Sequence, residues 1–336
     1  MKINLFNLFI ASFIVIISCS DVELIEKEKE ADNLINTFIK ENKIPGLSVT
    51  ILNGDGYIEY SKGFGYADLE KKININPKNS IFRIGSFSKT LAGTALMKMY
   101  EEKKIEIDSP VGYYIKNLPA DKKKITLKQI AGHLSGIRHY GDGDDMNLNL
   151  NYENTSEALN IFINDSLLFD PGTKYSYSTH AWTLLSLAME KAYGENFIEL
   201  MKNEILNPLQ LNKTFAEEID LVLNDKVTFY EKNESGNIVL CPDVNNSWKW
   251  AGGGYVSTTQ DMAKFTWKVL YTDFLLPETV KEMTKSQKLP DNKKTNYGIG
   301  WRIRYDDKDN RYLGHTGGSV GGTTFVFSSK DSLVVS

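Results

Sequence analysis

Ser86 and Lys89 stand three residues apart in the stretch Ile84-Gly85-Ser86-Phe87-Ser88-Lys89. A serine hydroxyl is a weak nucleophile at its own pKa and needs a proton acceptor within hydrogen-bond reach. Residues three apart on a helix are neighbours on one face, so a helix beginning near Ser86 brings the lysine amine to the hydroxyl. Free N–H groups and the positive end of the helix dipole at such a start suit a centre that acquires negative charge. A lysine accepts a proton only if its pKa falls, and burial lowers it. The run Thr90–Met99 has Lys98 as its only charged residue, so the helix is apolar on most sides and is expected to be buried. The same spacing also describes an ordinary capping serine with a lysine in the next turn. No other serine in the chain has lysine at its third following position.

These two residues need elements to hold them and further groups to work with. Leu34, Ile35, Phe38 and Ile39 recur at helical spacing within 21–42, and Pro45-Gly46 ends that helix. Leu47–Leu52 alternates as a strand, Asn53-Gly54-Asp55-Gly56 reads as a hairpin turn, and Tyr57–Gly65 returns as a second strand. A short strand, Ile81–Ile84, then delivers the chain to Ser86. Helical stretches follow at Leu127–His133 with Thr126 as N-cap, Thr155–Ile163, Thr179–Tyr193 closed by Gly194, and Asn196–Leu206. A hairpin is expected across Glu234-Ser235-Gly236, and Ser257-Thr258-Thr259-Gln260 has the form of a capping box before Met262–Leu270. Strands return at Tyr297–Tyr305, Tyr312–His315, Thr323–Phe327 and Leu333–Val335. The expected fold is α/β of the α+β type: an antiparallel sheet built from 22–107 and 245–336, flanked by helices, with a mostly helical insert at 108–244.

Two further stretches could complete a site. Tyr177, in Tyr175-Ser176-Tyr177-Ser178-Thr179, follows Pro171-Gly172 in a polar loop before the strongest helix. Near an ammonium, such a phenol could be partly ionised or relay a proton. Taken alone, it is equally a loop tyrosine packed on the insert. Gly314-His315-Thr316-Gly317-Gly318 lies on a late strand, where glycines let a backbone approach a ligand closely. Its N–H groups, with that of Ser86, could form an oxyanion hole, in which one donor can be worth roughly 10²–10³ in rate. Gly317-Gly318-Ser319-Val320-Gly321 matches the G-x-S-x-G elbow, but that fold needs a histidine after the serine, and His315 is the last of four.

Composition narrows the rest. The 336 residues carry 39 lysines and arginines against 43 acidic residues, a mild excess of negative charge with scattered lysines, and nothing in this points to a nucleic-acid surface. Two cysteines, Cys19 and Cys241, exclude a disulfide framework. Lys2 followed by the uncharged, mostly apolar Leu5–Ile17 reads as a signal segment, residues 1–19, too short for a comfortable membrane span. Its end, Ile16-Ile17-Ser18-Cys19, resembles a bacterial lipobox, which makes Cys19 an expected lipidation site and the cell envelope, periplasmic or surface, the expected location.

The three chemical stretches, in this order and at these separations, resemble the serine β-lactamase and DD-peptidase superfamily, in its class C-like branch of penicillin-binding and esterase proteins (peptidase S12 type). The resemblance extends over Ile125-Thr126-Leu127 through His133-Leu134-Ser135-Gly136-Ile137, Pro171-Gly172-Thr173, Asn207-Pro208-Leu209, Gly252-Gly253-Gly254 with Ser257-Thr258, and Tyr297-Gly298-Ile299-Gly300-Trp301. Gly136-Ile137-Arg138-His139-Tyr140 and Tyr177-Ser178-Thr179 look most like the mitochondrial β-lactamase-like serine proteases. The resemblance implies Ser86 as the acylated nucleophile, Lys89 as the base, and Tyr177 as the proton relay. It also implies His315, Gly318 and Thr179 as substrate and oxyanion contacts. His315 stands where β-lactamases usually carry lysine, and Thr179 where they carry an asparagine that contacts substrate; threonine lacks that amide donor. Both departures favour a peptide or ester, including cell-wall peptide, over a β-lactam. No metal and no cofactor is expected. A protein that binds penicillin or peptide without turnover, and a true β-lactamase, are the alternatives. The family also continues through a further strand and a helix beyond the point matching Ser336, so the resemblance implies a piece of a longer fold.

Overall fold

The computed structural model describes residues 21–141, 146, 148–329, 331 and 333–336. Residues 1–20, and with them the expected signal segment and Cys19, lie outside the described residues.

Helix α1 (Asp21–Asn42) runs into β1 (Gly46–Leu52), which pairs with β2 (Ile58–Asp68) through the expected hairpin. β2 extends past Gly65 to pair with a short β3 (Ile73–Asn74) that local sequence did not announce. After β4 (Phe82–Arg83), a 3₁₀ turn (Gly85–Phe87) leads into α2 (Ser88–Glu101). Short helices α3 (Val111–Tyr114), α4 (Leu127–Ala131) and α5 (Thr155–Ala158) precede the long α6 (His180–Tyr193). Then come α7 (Phe197–Met201), a π-helical turn (Lys202–Leu206), β5 (Phe215–Ala216), and the hairpin β6 (Tyr230–Lys232) and β7 (Ile238–Leu240). A 3₁₀ turn (Ser247–Lys249) opens α8 (Trp250–Gly253), β8 (Tyr255–Ser257), α9 (Thr259–Tyr271) and α10 (Pro277–Met283). The chain finishes on β9 (Arg302–Tyr305), β10 (Arg311–Ser319), β11 (Gly322–Ser328) and β12 (Val334–Val335).

The main sheet has the order β3-β2-β1-β12-β11-β10-β9, with every neighbouring pair antiparallel. The sheet therefore joins the first and last parts of the chain. Its outer face is covered by α1: Ile35 packs with Val49, Ile51 and Tyr60, and Lys62 reaches Asp32 at 2.9 Å. Its inner face meets α2 and α9. The core there includes Leu91 and Leu96 of α2, Leu184 and Leu185 of α6, Phe265, Trp301 and Val326. Each large apolar side chain buried in this way contributes about 1.5–3 kcal/mol. α2 is buried along nearly its whole length, as the sparse charge of Thr90–Met99 leads one to expect. Residues 108–244 hold α3 to α7, and β5, from that segment, pairs with β8 beside β4.

Local signals met tertiary context in three places. Thr126 caps α4 in a full capping box with Gln129. The second box starts one residue later than expected: Thr258 accepts from the Asp261 N–H, while Ser257 ends β8 and bonds Thr214 at 2.7 Å. The expected strand Tyr297–Tyr305 shrinks to Arg302–Tyr305, because the chain turns at Gly300 with φ +75° to pass over α2. A Cβ on Gly300 would lie 2.3 Å from the Lys89 carbonyl oxygen. Gly300→Ala is therefore expected to destabilise the protein by about 1–3 kcal/mol, read as a lower denaturant midpoint; an unchanged midpoint would refute this account of the turn.

Candidate active site

Ser86 sits on the 3₁₀ turn and is partly exposed, while the turn beneath it is fixed from below. The buried Ser88 hydroxyl donates to the Gly85 carbonyl at 2.7 Å and accepts from the Tyr255 N–H at 3.2 Å. Gly85, at φ +49°, lets β10 approach: a Cβ there would stand 2.8 Å from the Gly318 nitrogen. Gly318 itself is exposed, with open space where a side chain would go. β9 pairs with β10 only at Arg311–Gly314, so among the described residues no strand covers that edge of His315–Ser319 beside Ser86. Ser319 closes β10, and Val320-Gly321 leads straight into another strand, so no helix follows as an elbow would require.

Lys89, the second residue of α2, has no exposed surface. Its Nζ lies 3.1 Å from Ser86 Oγ and 3.1 Å from Thr179 Oγ1, and it donates to the Gly252 carbonyl. Two hydroxyls and a carbonyl thus surround the amine. No ion pair to Lys89 occurs among the described residues. Burial holds its pKa well below the usual 10.5, and the positive charges of Arg302 and Lys249 push it the same way. The shift favours the neutral amine, the form that can accept a proton.

Tyr177 reaches the same point from the loop before α6. Lys89 Nζ stands 4.9 Å from its ring centroid. Its buried hydroxyl makes no well-formed hydrogen bond, although it lies near enough to Ser86 for the serine to favour the ionised form. Burial outweighs that effect and holds the phenol protonated, above its ordinary pKa. Burial thus weakens the amine's hold on its proton and strengthens the phenol's.

Two expected substrate contacts take other positions. Thr179 is fully buried, and its hydroxyl holds Lys89 while its N–H donates to His139 Nδ1 at 3.2 Å. His315 is also fully buried: Nδ1 meets the Thr316 carbonyl, and Nε2 lies 2.9 Å from the Tyr297 hydroxyl. Burial, then Arg302 and Lys89, hold its pKa well below 6.5, so it is neutral and does not replace a lysine's charge. The cation comes instead from Arg302 of β9, whose guanidinium lies 5.2 Å from the Tyr177 ring centroid and whose Nε is 3.4 Å from His315 Nε2. Arg302 carries no local signal of this role. In the sequence it is one of two arginines on an alternating stretch with Arg304, and nothing local separates it from a surface residue.

Two open grooves, of about 590 and 460 Å³, lie elsewhere, the first lined by Lys281, Lys285 and Arg311 and the second by Lys213, Lys264 and Trp267. Neither includes a residue of this cluster.

An antiparallel sheet with helices on its faces, carrying a serine, a buried lysine and a tyrosine at the side of one strand, defines the serine β-lactamase and DD-peptidase class. The chain belongs to the Beta-lactamase family, whose match spans residues 31–336, and it is a serine hydrolase. It is 28% identical over 394 residues to the Homo sapiens "Serine beta-lactamase-like protein LACTB, mitochondrial", covering 90% of this chain and 72% of that one. It is 24% identical over 241 residues to "Protein flp" of Staphylococcus aureus, covering 70% of this chain and 48% of that protein. Among solved structures, the octameric penicillin-binding protein homologue from Pyrococcus abyssi superposes with a TM-score of 0.79 at 25% identity, over 94% of this chain and 72% of that one. The hydrolase EstCE1, at 19% identity and a TM-score of 0.78 over 94% and 93% of the two chains, shares the fold.

Proposed function

We propose that the protein hydrolyses a peptide or ester through an acyl-enzyme on Ser86. The observation that carries this reading is the 3.1 Å contact between Ser86 Oγ and a fully buried lysine amine whose hold on its proton is weakened by burial and by neighbouring positive charge. Ser86 Oγ attacks the substrate carbonyl carbon as its proton passes to Lys89 Nζ, and the carbonyl oxygen takes the negative charge against the backbone N–H groups of Ser86 and Gly318. The tetrahedral centre then collapses. The bond to the leaving nitrogen or oxygen breaks, and that atom receives a proton from the Tyr177 hydroxyl, which is refilled from Lys89. A water attacks the ester on Ser86 by the reverse route, giving the acid and restoring the serine. The open edge of β10 supports an extended peptide as substrate, since an exposed strand edge can pair with an added strand.

The test is a screen of esters, D-amino-acid peptides and β-lactams, run beside fluorophosphonate labelling. Turnover of an ester or peptide supports the reading. Labelling without turnover of any substrate would make the chain a binding protein instead, and preferential turnover of β-lactams would make it a β-lactamase.

The Arg302 charge bears on pH. Lys89 must be unprotonated to act, and a nearby guanidinium makes a second positive charge costly. Arg302→Met is expected to raise the Lys89 pKa, moving the acid limb of kcat/KM to higher pH, with Arg302→Lys restoring it. An unmoved limb would remove Arg302 from this role.

We also propose that Cys19 carries lipid and holds the protein on a membrane of the bacterial cell envelope, on the strength of the Ile16-Ile17-Ser18-Cys19 pattern alone. Labelled palmitate is expected to enter the wild type and not Cys19→Ala; equal incorporation would refute the anchor.

A further inference from the structure

We infer that His133 is the positioning residue for Tyr177, fixing where the phenol points. The inference rests on the Tyr177 role proposed above. His133 lies just beyond α4, fully buried, with φ +64°. Its carbonyl oxygen accepts the Ser176 N–H at 3.0 Å, and its Nδ1 accepts the Ser178 N–H at 3.1 Å. The residues on both sides of Tyr177 therefore hang from this one histidine. Its ring also lies against the phenol, with centroids 4.2 Å apart and planes at 36°. The Tyr177 hydroxyl makes no well-formed hydrogen bond of its own, so the ring direction is set from behind rather than from the tip.

The arrangement is costly, and the cost is informative. A non-glycine residue in the left-handed region is strained, although His and Asn tolerate it better than most residues. With Nδ1 accepting, the proton sits on Nε2, which is buried without a partner. A leucine or phenylalanine could fill the same space without leaving a polar atom unpaired, but neither could take the Ser178 N–H. Burial above all keeps the ring neutral, as an accepting Nδ1 requires.

The experiment compares His133→Asn, His133→Phe and His133→Gly with Tyr177→Phe in the full chain, reading kcat, KM, fluorophosphonate labelling of Ser86 and Tm. Asn enters the left-handed conformation readily and places Oδ1 about where Nδ1 stands. It should keep kcat within about tenfold, whereas Phe should lose on the order of a hundredfold in kcat with little change in KM, since small misplacements of a catalytic group cost that much. Gly takes the backbone conformation without strain but offers neither acceptor nor ring. It should show the same loss as Phe, and it decides the matter if the Phe variant does not fold. Ser86 labelling should continue in all of them, and the double variant His133→Phe/Tyr177→Phe should be no slower than Tyr177→Phe alone, because the two act as one unit. Wild-type kcat in His133→Phe or His133→Gly, or losses that follow Tm equally in Asn and Phe, would overturn the inference. Full activity in Tyr177→Phe would instead overturn the proposed mechanism, and this inference with it.

Discussion

Ser86→Ala is expected to abolish turnover of any substrate the wild type hydrolyses, while leaving the protein folded. Removing the nucleophile of a serine protease costs on the order of 10⁶ in kcat. The structural cost should be small by contrast. The Ser86 hydroxyl is partly exposed and its hydrogen bond is the one from Lys89, which keeps its bonds to Thr179 and the Gly252 carbonyl. The turn itself is held by Ser88, not Ser86. The measurement is kcat with Tm recorded on the same samples, and fluorophosphonate should label the wild type alone. Undiminished turnover in the variant would defeat the assignment.

Lys89→Met should be nearly as inactive and should also change how stability depends on pH. A general base typically contributes about 10²–10⁴ in rate. In the unfolded chain Lys89 stays protonated up to about the ordinary lysine value of 10.5, whereas in the folded protein burial drives the proton off at lower pH. Between the depressed folded pKa and 10.5, the unfolded state binds one more proton than the folded state. Stability from this group therefore rises with pH across that window and is flat below it. Methionine has no such proton. The Tm of the wild type relative to Lys89→Met should increase as pH rises from neutral towards 10.5, whatever constant offset the lost hydrogen bonds introduce. A difference independent of pH would mean that Lys89 is charged in the folded protein and is not the base.

How much of this could be read from the chain alone depended on the range of the interaction. The Ser86–Lys89 contact is three residues long, and the burial of α2 follows from a run with Lys98 as its only charge, so both were legible. The Thr126 cap, the Asn53–Gly56 turn and the alternation of the late strands are equally local. The charge state of the site was not legible. His315 looked like a titratable cation, and Thr179 looked like a substrate contact. Burial and the neighbours Arg302, Tyr297 and Lys89 made the first neutral and turned the second inward. The short strand β3 and the break at Gly300 were missed because each depends on what lies across from it in space.

The sequence by itself determined the longer helices, the hairpin turns, most of the strand alternation and the residue types available for chemistry, because those depend on propensity and spacing within a few neighbours. Only the tertiary structure decided that an arginine from β9 and a histidine from beyond α4 flank the phenol, and that the lysine's hold on its proton is weakened. Desolvation and Coulomb interactions act through space, and no local pattern records which distant residues will share a dry crevice.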